Sequence, residues 1–236
     1  MDYTFFFKPE HENGIFSNWF AQEMESPALP GIRFATLEKW MMYQKALTFQ
    51  DYDVAKRILG SHGPAQDKRL GQAVSGFSDD VWRIAMPKIV CAGIDIKFSI
   101  QKMRQALMDT RHTILVEASP YDRNYGIKMD RNHRHASSPE HWQGSNLLGF
   151  YTTDHRIHLS QTVPGLEPED PDFVKEYQEI RRSVLARLPV LGKAIPASAD
   201  VQPLRSAPPR PVAAVRKALP LRKLSKPPIS TPSPLD

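Results

Sequence analysis

The chain has 236 residues, 41% of them hydrophobic and 24% charged, with 31 Lys+Arg against 26 Asp+Glu and a formal charge of +5. That hydrophobic fraction supports a real core and excludes wholesale disorder, and the length suits one domain with extensions. No apolar run approaches the roughly 20 residues that cross a bilayer, and Lys8, Pro9 and Glu10 interrupt Phe5-Phe6-Phe7 too early for a secretory signal.

In chain order, a short strand is expected over Phe5 to Lys8, then a polar turn through Glu12-Asn13-Gly14. Residues 15–35 read as loops and short strands. Thr36 caps a helix over Glu38 to Leu47, and Asp51 or Asp53 caps a second that ends near Gly60. Pro64 opens a third running to about Val74, since a first helical turn tolerates a missing N–H. Asp79 and Asp80 cap a stretch through Trp82 that Pro87 should kink, with helix resuming from Asp95 to Asp109. Thr113 to Glu117 is a compact β-branched strand. Residues 118–149 read as ordered loop and 150–171 as irregular and polar. Phe173, Tyr177, Ile180, Val184 and Leu188 then recur at helical spacing. The fold class is therefore α+β, compact and mostly helical with a few short strands.

The charge is unevenly placed. Residues 189–236 hold 8 of the Lys/Arg, 2 of the Asp/Glu and 11 of the 21 prolines. They carry +6 and leave −1 on the body. Such a segment buries too little to offset its ordering entropy, so a disordered, polyproline-II-biased tail is expected. Pro208-Pro209-Arg210-Pro211 suits a proline-recognition domain, and the basic run 216–226 suits an anionic surface or nucleic acid. The single cysteine, Cys91, lies among Ile89, Val90 and Ala92, where packing is expected rather than reactivity. A cytoplasmic protein is expected, with the nucleus as the alternative.

Three clusters have chemical promise. Glu38 and Lys45 stand about two turns apart on one helix, flanked by Trp40 and Tyr43. Burial would shift both groups into acid/base range, whereas a solvated ion pair is the commoner meaning of such spacing. The strand ending in Glu117 runs into Ser119, Asp122 and Gly126, a rigid way to present polar groups; turn chemistry explains it about as well. Trp142, Gly144 and Asn146 line either a pocket or a plain turn. His133, His135 and His141 share one loop, but their spacing is loose and Arg131 and Arg134 repel a cation, so no metal is expected.

Taken together these segments resemble the NADAR (YbiA-like) family. Gly14-Ile15-Phe16-Ser17-Asn18-Trp19 resembles its opening motif, and Thr36-Leu37-Glu38 through Gln44-Lys45-Ala46 its first helix. Pro64 through Lys68-Arg69-Leu70-Gly71, then Trp82 with Lys97-Phe98, follow in order. Leu115 to Asp122, Tyr125-Gly126-Ile127, Trp142, Gly144, Asn146 and Leu148-Gly149 complete the match over residues 5–149.

The resemblance implies an N-glycosidase that needs no cofactor. Its substrate would be a small ribosyl nucleotide, either a phosphorylated ribosylaminopyrimidine of riboflavin synthesis or ADP-ribose on guanine, the latter carried by nucleic acid in some cases. By match, Glu38 and Asp122 are catalytic carboxyls and Lys45 the active-site lysine, so cleavage would follow either an oxocarbenium-like route or a Schiff base formed by Lys45 on the opened sugar. Trp82 and Trp40 would stack on base or ribose, and Lys68 and Arg69 would meet phosphate. Asn18, Glu117 and Asn146 would bond sugar hydroxyls, with Ser119, Gly126 and Trp142 lining the site. A non-catalytic or weakly catalytic reader of ADP-ribose or a related nucleotide is the competing expectation. It is motivated by Phe150 to Asp154 standing where the family continues into a closing helix. Tyr125 in place of tryptophan, and the basic stretch Lys128 to His141, are further departures. The implied division is a family domain at 1–149, a polar insertion with a closing helix at 150–188, and the tail at 189–236.

Overall fold

A computed structural model describes residues 1–188; the tail expected at 189–236 lies outside them. Strand β1 (Asp2–Phe6) leads through a 3-10 turn (Gly14–Phe16) to an antiparallel pair of two-residue strands, β2 (Met24–Glu25) and β3 (Arg33–Phe34). Five helices follow: α1 (Leu37–Thr48), α2 (Tyr52–Leu59), α3 (Pro64–Gln72), α4 (Asp79–Ser99) and α5 (Gln101–Met108). Strand β4 (Thr113–Glu117), a second 3-10 turn (Pro139–His141), α6 (Leu147–Thr162) and α7 (Pro171–Arg187) complete the order. No described helix is long and apolar enough to cross a membrane.

Helix α1 is the hub. Thr36 Oγ1 caps it by accepting the Lys39 N–H at 3.1 Å. Residues Leu37 to Gln44 are all buried, because α2, α3 and α4 pack against it. Close approach of α3 depends on Gly71, where a Cβ would stand 2.0 Å from Met42 Sδ. Helix α2 is capped by Asp51, and α4 by Ser78. Asp79 and Asp80 sit in the first turn of α4, where their charge favours the helix dipole.

Two expectations are corrected here. The interruption expected before helix resumes at Asp95 is absent: α4 is continuous through Pro87, and the chain breaks instead at Ile100, which adopts an extended conformation. Twenty-one residues of helix, packed on α1 and α6, hold one missing hydrogen bond in register.

The larger correction concerns residues 150–171. Helix α6 runs unbroken from Leu147, directly after Asn146, to Thr162, so the boundary expected at residue 149 falls inside it. The closing helix is present. The pattern looked irregular because α6 buries polar residues as well as apolar ones: Thr152, Thr153 and Arg156 are each fully buried. β1 pairs in parallel with β4, Phe6 opposite Glu117. That leaves the other edge of β4 without a strand, and α6 covers it. Thr153 Oγ1 accepts the Leu115 N–H at 3.1 Å, and Asn146 bonds both Leu115 and Glu117. Those polar side chains substitute for a strand, which a hydrophobic period cannot show.

One core forms from Ile114 and Val116 of β4 together with Ile127, Trp142, Phe150, Phe173 and Tyr177. Arg156 is the polar nail of this region: it donates to Thr110 O, Thr113 O and the buried carboxylate of Glu169.

Candidate active site

Three acid side chains from two distant parts of the chain, Glu38 on one side and Glu117 and Asp122 on the other, act on one another electrostatically. Glu38 lies in the first turn of α1, where its N–H donates to Asn18 O at 3.0 Å. The same Asn18–Trp19 segment supplies a side-chain hydrogen bond from Trp19 to the Glu38 carboxyl. Glu117 ends β4, fixed there by the Asn146 bond to its N–H. Asp122 lies in the following loop, where Oδ1 accepts the N–H groups of Asn124 and Tyr125, each at 2.8 Å. Ser119 Oγ accepts the Asp122 N–H at 3.2 Å, so the turn that presents Asp122 is locked from both sides.

Crowding and burial set the electrostatics. Burial pushes the Glu38 carboxyl up to about 7, with Lys68 opposing and Asp122 and Asp67 adding to the rise. Burial, helped by Asp122 and Glu38, pushes Glu117 up to about 8. The Tyr125 phenol is held well above its ordinary value by burial and by the same three acids. At neutral pH Glu117 is therefore mostly protonated, while Glu38 stands near its midpoint. Glu117 Oε2 and Asn18 Oδ1 are buried acceptors with no hydrogen-bond partner among the described residues.

Lys45 borders the cluster on an aromatic wall, its Nζ 4.2 Å from the Phe77 ring centre and 5.5 Å from that of Trp82. Burial lowers its pKa, while Asp79 and Glu38 oppose the shift.

Several expected substrate contacts are engaged elsewhere. Asn146, completely buried and at φ 49°, donates to Leu115 O at 3.0 Å and accepts from Glu117, which leaves neither end of its amide for a sugar. Trp142 Nε1 donates to Ala136 O at 2.7 Å, and its ring packs on Tyr3 and Phe150 in the core. Trp40 Nε1 donates to Ile89 O at 2.9 Å, and its ring meets Phe34 edge-on. Both tryptophans are core residues rather than stacking platforms. Ser119 serves the Asp122 turn. Gly126 admits the approach of β4, since a Cβ there would lie 2.8 Å from Glu117 O. Arg69 is exposed on α3, and its neighbour Lys68 is the cation that acts on Glu38 and Glu117. Asn18 reaches the site through its backbone, while its Nδ2 meets Met41 Sδ at 3.4 Å.

Trp19 was legible only as the residue after Asn18 in the opening motif; nothing in its spacing tied it to Glu38. Tyr125 stood out as a departure rather than a wall of the site. Cys91 is half-buried and its thiol is pushed up to about 12 by burial, which removes it as a nucleophile at neutral pH. His135 and His141 stack at 4.2 Å in their loop. Among the described residues no group of three His, Cys, Asp or Glu side chains is placed to hold a metal.

Similarity to known proteins identifies the family and the fold. The family described as NADAR domain matches residues 5–160, which takes in most of α6. Protein irg-1 of Caenorhabditis elegans is 30% identical over 185 residues, covering 72% of this chain and 87% of its own. A protein of Acanthamoeba polyphaga mimivirus named N-glycosidase R617 is 34% identical over 139 residues, covering 57% of this chain and 81% of its own. The solution structure of the E. coli protein YbiA shares the fold, with a TM-score of 0.55 at 22% identity over 72% of this chain and 90% of that one.

Proposed function

The chain belongs to the NADAR domain family, and from that premise and the acid cluster we propose that it is an N-glycosidase acting on a ribosyl N-glycosidic bond. The observation that carries the proposal is the grouping of Glu38, Glu117 and Asp122, with burial raising the Glu38 and Glu117 carboxyls to about 7 and about 8. Similarity to a relative named N-glycosidase supports the same reaction class.

Breaking the C1′–N bond sends its electron pair to the base nitrogen and leaves positive charge on the ribose. Glu38, poised near neutrality, gives the proton that the departing nitrogen takes up. Asp122 supplies the negative charge that stabilises the oxocarbenium-like sugar and accepts the proton of the water that adds to C1′. Glu117 stays protonated and donates a hydrogen bond to a sugar oxygen. Lys68 at the cluster and the Phe77–Trp82 wall beside Lys45 favour an anionic substrate with a flat base.

The substrates to offer are a phosphorylated ribosylaminopyrimidine and an ADP-ribosylated guanine, free or in nucleic acid. Release of the free base, lost in Glu38→Gln, supports the proposal. Absence of base release from both substrates by folded protein overturns it. Tight binding of ADP-ribose without base release would favour the alternative, a non-catalytic or weakly catalytic reader.

A further inference from the structure

Two pairs of adjacent residues connect α1 to α3. Lys39 follows Glu38 on α1, and Asp67 precedes Lys68 on α3. Lys39 and Asp67 are both buried, Asp67 completely. Lys39 Nζ donates to Ser61 O at 2.8 Å and stands 3.9 Å from Asp67 Oδ1. The Ser61 hydroxyl in turn bonds Asp67 and lies 2.7 Å from Ile58 O. This knot ties together α1, the end of α2 and the start of α3, and nothing in the cleavage chemistry uses it.

A buried ion pair is poor evidence for stability, because desolvating two charges offsets most of their attraction. What such a pair does specify is geometry. Helix α3 needs that specification: it starts after Gly63 at φ 143° with no side-chain cap, and its close contact with α1 is the apolar one of Gly71 on Met42. Apolar contact permits rotation, whereas a charge pair does not. Adjacent helix residues project about 100° apart, so a turn of α3 that releases Asp67 also carries Lys68 off the acid cluster.

We infer that the buried Lys39–Asp67 pair, tied by Ser61, is a positioning clamp that sets α3 on α1 so that Lys68 faces Glu38 and Glu117. The inference deepens the reading of this cluster as the active site, and its test does not depend on turnover. Asp67 and Lys68 act on Glu38 with opposite signs: the charge of Asp67 raises its pKa and that of Lys68 lowers it, the latter more strongly. Removing Asp67 as a mere field source therefore lowers the Glu38 titration midpoint, while losing the Lys68 placement raises it.

Carbon-13 NMR titration of the Glu38 carboxyl in the full chain distinguishes the two. The variants are Lys39→Met/Asp67→Asn, which leaves no buried charge unpaired, Lys68→Met, and the triple variant. The clamp gives a midpoint raised by about half a pH unit, roughly threefold in the protonation equilibrium, in both Lys39→Met/Asp67→Asn and Lys68→Met. The triple variant then rises no further than Lys68→Met. A midpoint that falls or stays in place in Lys39→Met/Asp67→Asn, or a triple variant with additive rises, overturns it. Should the double variant not fold, Ser61→Ala removes the tie to Asp67 without changing any charge: a raised midpoint supports the clamp, and an unchanged one overturns it. Loss of base release without these midpoint changes counts against the clamp. The converse result, midpoints as expected in a protein that never releases base, counts against the proposed function and leaves the clamp standing.

Discussion

Asn146 holds Glu117 in place: its Oδ1 accepts the Glu117 N–H at 3.0 Å, while its Nδ2 donates to Leu115 O on the same strand. One amide thus closes the unpaired edge of β4 immediately before the acid that the strand delivers. Asn146 also takes the left-handed conformation that starts α6, a geometry asparagine tolerates better than most residues. Asn146→Ala leaves a buried N–H and a buried C=O unpaired, at a cost of about 2–4 kcal/mol. Chemical denaturation checks this. A loss below about 1 kcal/mol would show that the two bonds add little beyond what solvent provides.

The raised pKa of Glu38 predicts how activity follows pH. With Glu38 as the acid, kcat/KM falls as pH rises above about 7. The Trp19 hydrogen bond lowers that pKa, so Trp19→Phe moves the falling limb to higher pH. A limb that stays in place in Trp19→Phe assigns it to another group.

Glu117 ties the site to stability. Its folded pKa of about 8 lies far above the ordinary 4.5. Below that ordinary value both states are protonated and the folded state carries no penalty. As pH rises, the unfolded chain ionises first, so stability is lost progressively until the folded carboxyl ionises too. Glu117→Gln removes this dependence. It should stabilise the protein at pH 8 by on the order of 3 kcal/mol and change little at pH 4. Melting curves at the two pH values check it, and equal shifts at both would contradict the burial argument.

Lys45 tests the route of cleavage. Direct addition of water to C1′ leaves its amine unmodified, so borohydride added during turnover yields no ribosyl adduct in the intact mass spectrum. Lys45→Met then retains base release, with weakened binding from the loss of charge beside Phe77 and Trp82. A trapped adduct on Lys45 would replace this route by an imine mechanism.

Arg156 and Glu169 test the helix that the sequence concealed. Both are buried and joined by a charge-assisted bond, and Arg156 also donates to Thr110 O at 2.8 Å and Thr113 O at 2.7 Å. Arg156→Met strands Glu169 and the two carbonyls, with an expected loss of about 3–5 kcal/mol. Denaturation of Arg156→Met beside Arg156→Met/Glu169→Gln checks it: the double variant should recover part of the loss, and failure to do so would assign the cost to packing.

What the sequence determined by itself is local. Thr36 before Leu37-Glu38, Pro64 at the head of α3 and the β-branched run Thr113 to Glu117 act through neighbours in the chain, so their elements were readable without knowing the fold. The ordered motifs also placed Glu38, Lys45 and Asp122 among the candidates. Only the tertiary structure decided which groups work on one another. Asn146, Trp142 and Trp40 had the chemistry of ligand contacts but are used by β4 and by the core, a choice made by partners distant in sequence. Helix α6 was hidden for the same reason. Its polar side chains are buried against the open edge of β4, and no periodicity in a single segment records what will lie across from it. The shifts of Glu38 and Glu117 belong to neither residue alone. They arise because folding removes both from water and brings them to Asp122, with Lys68 held opposite.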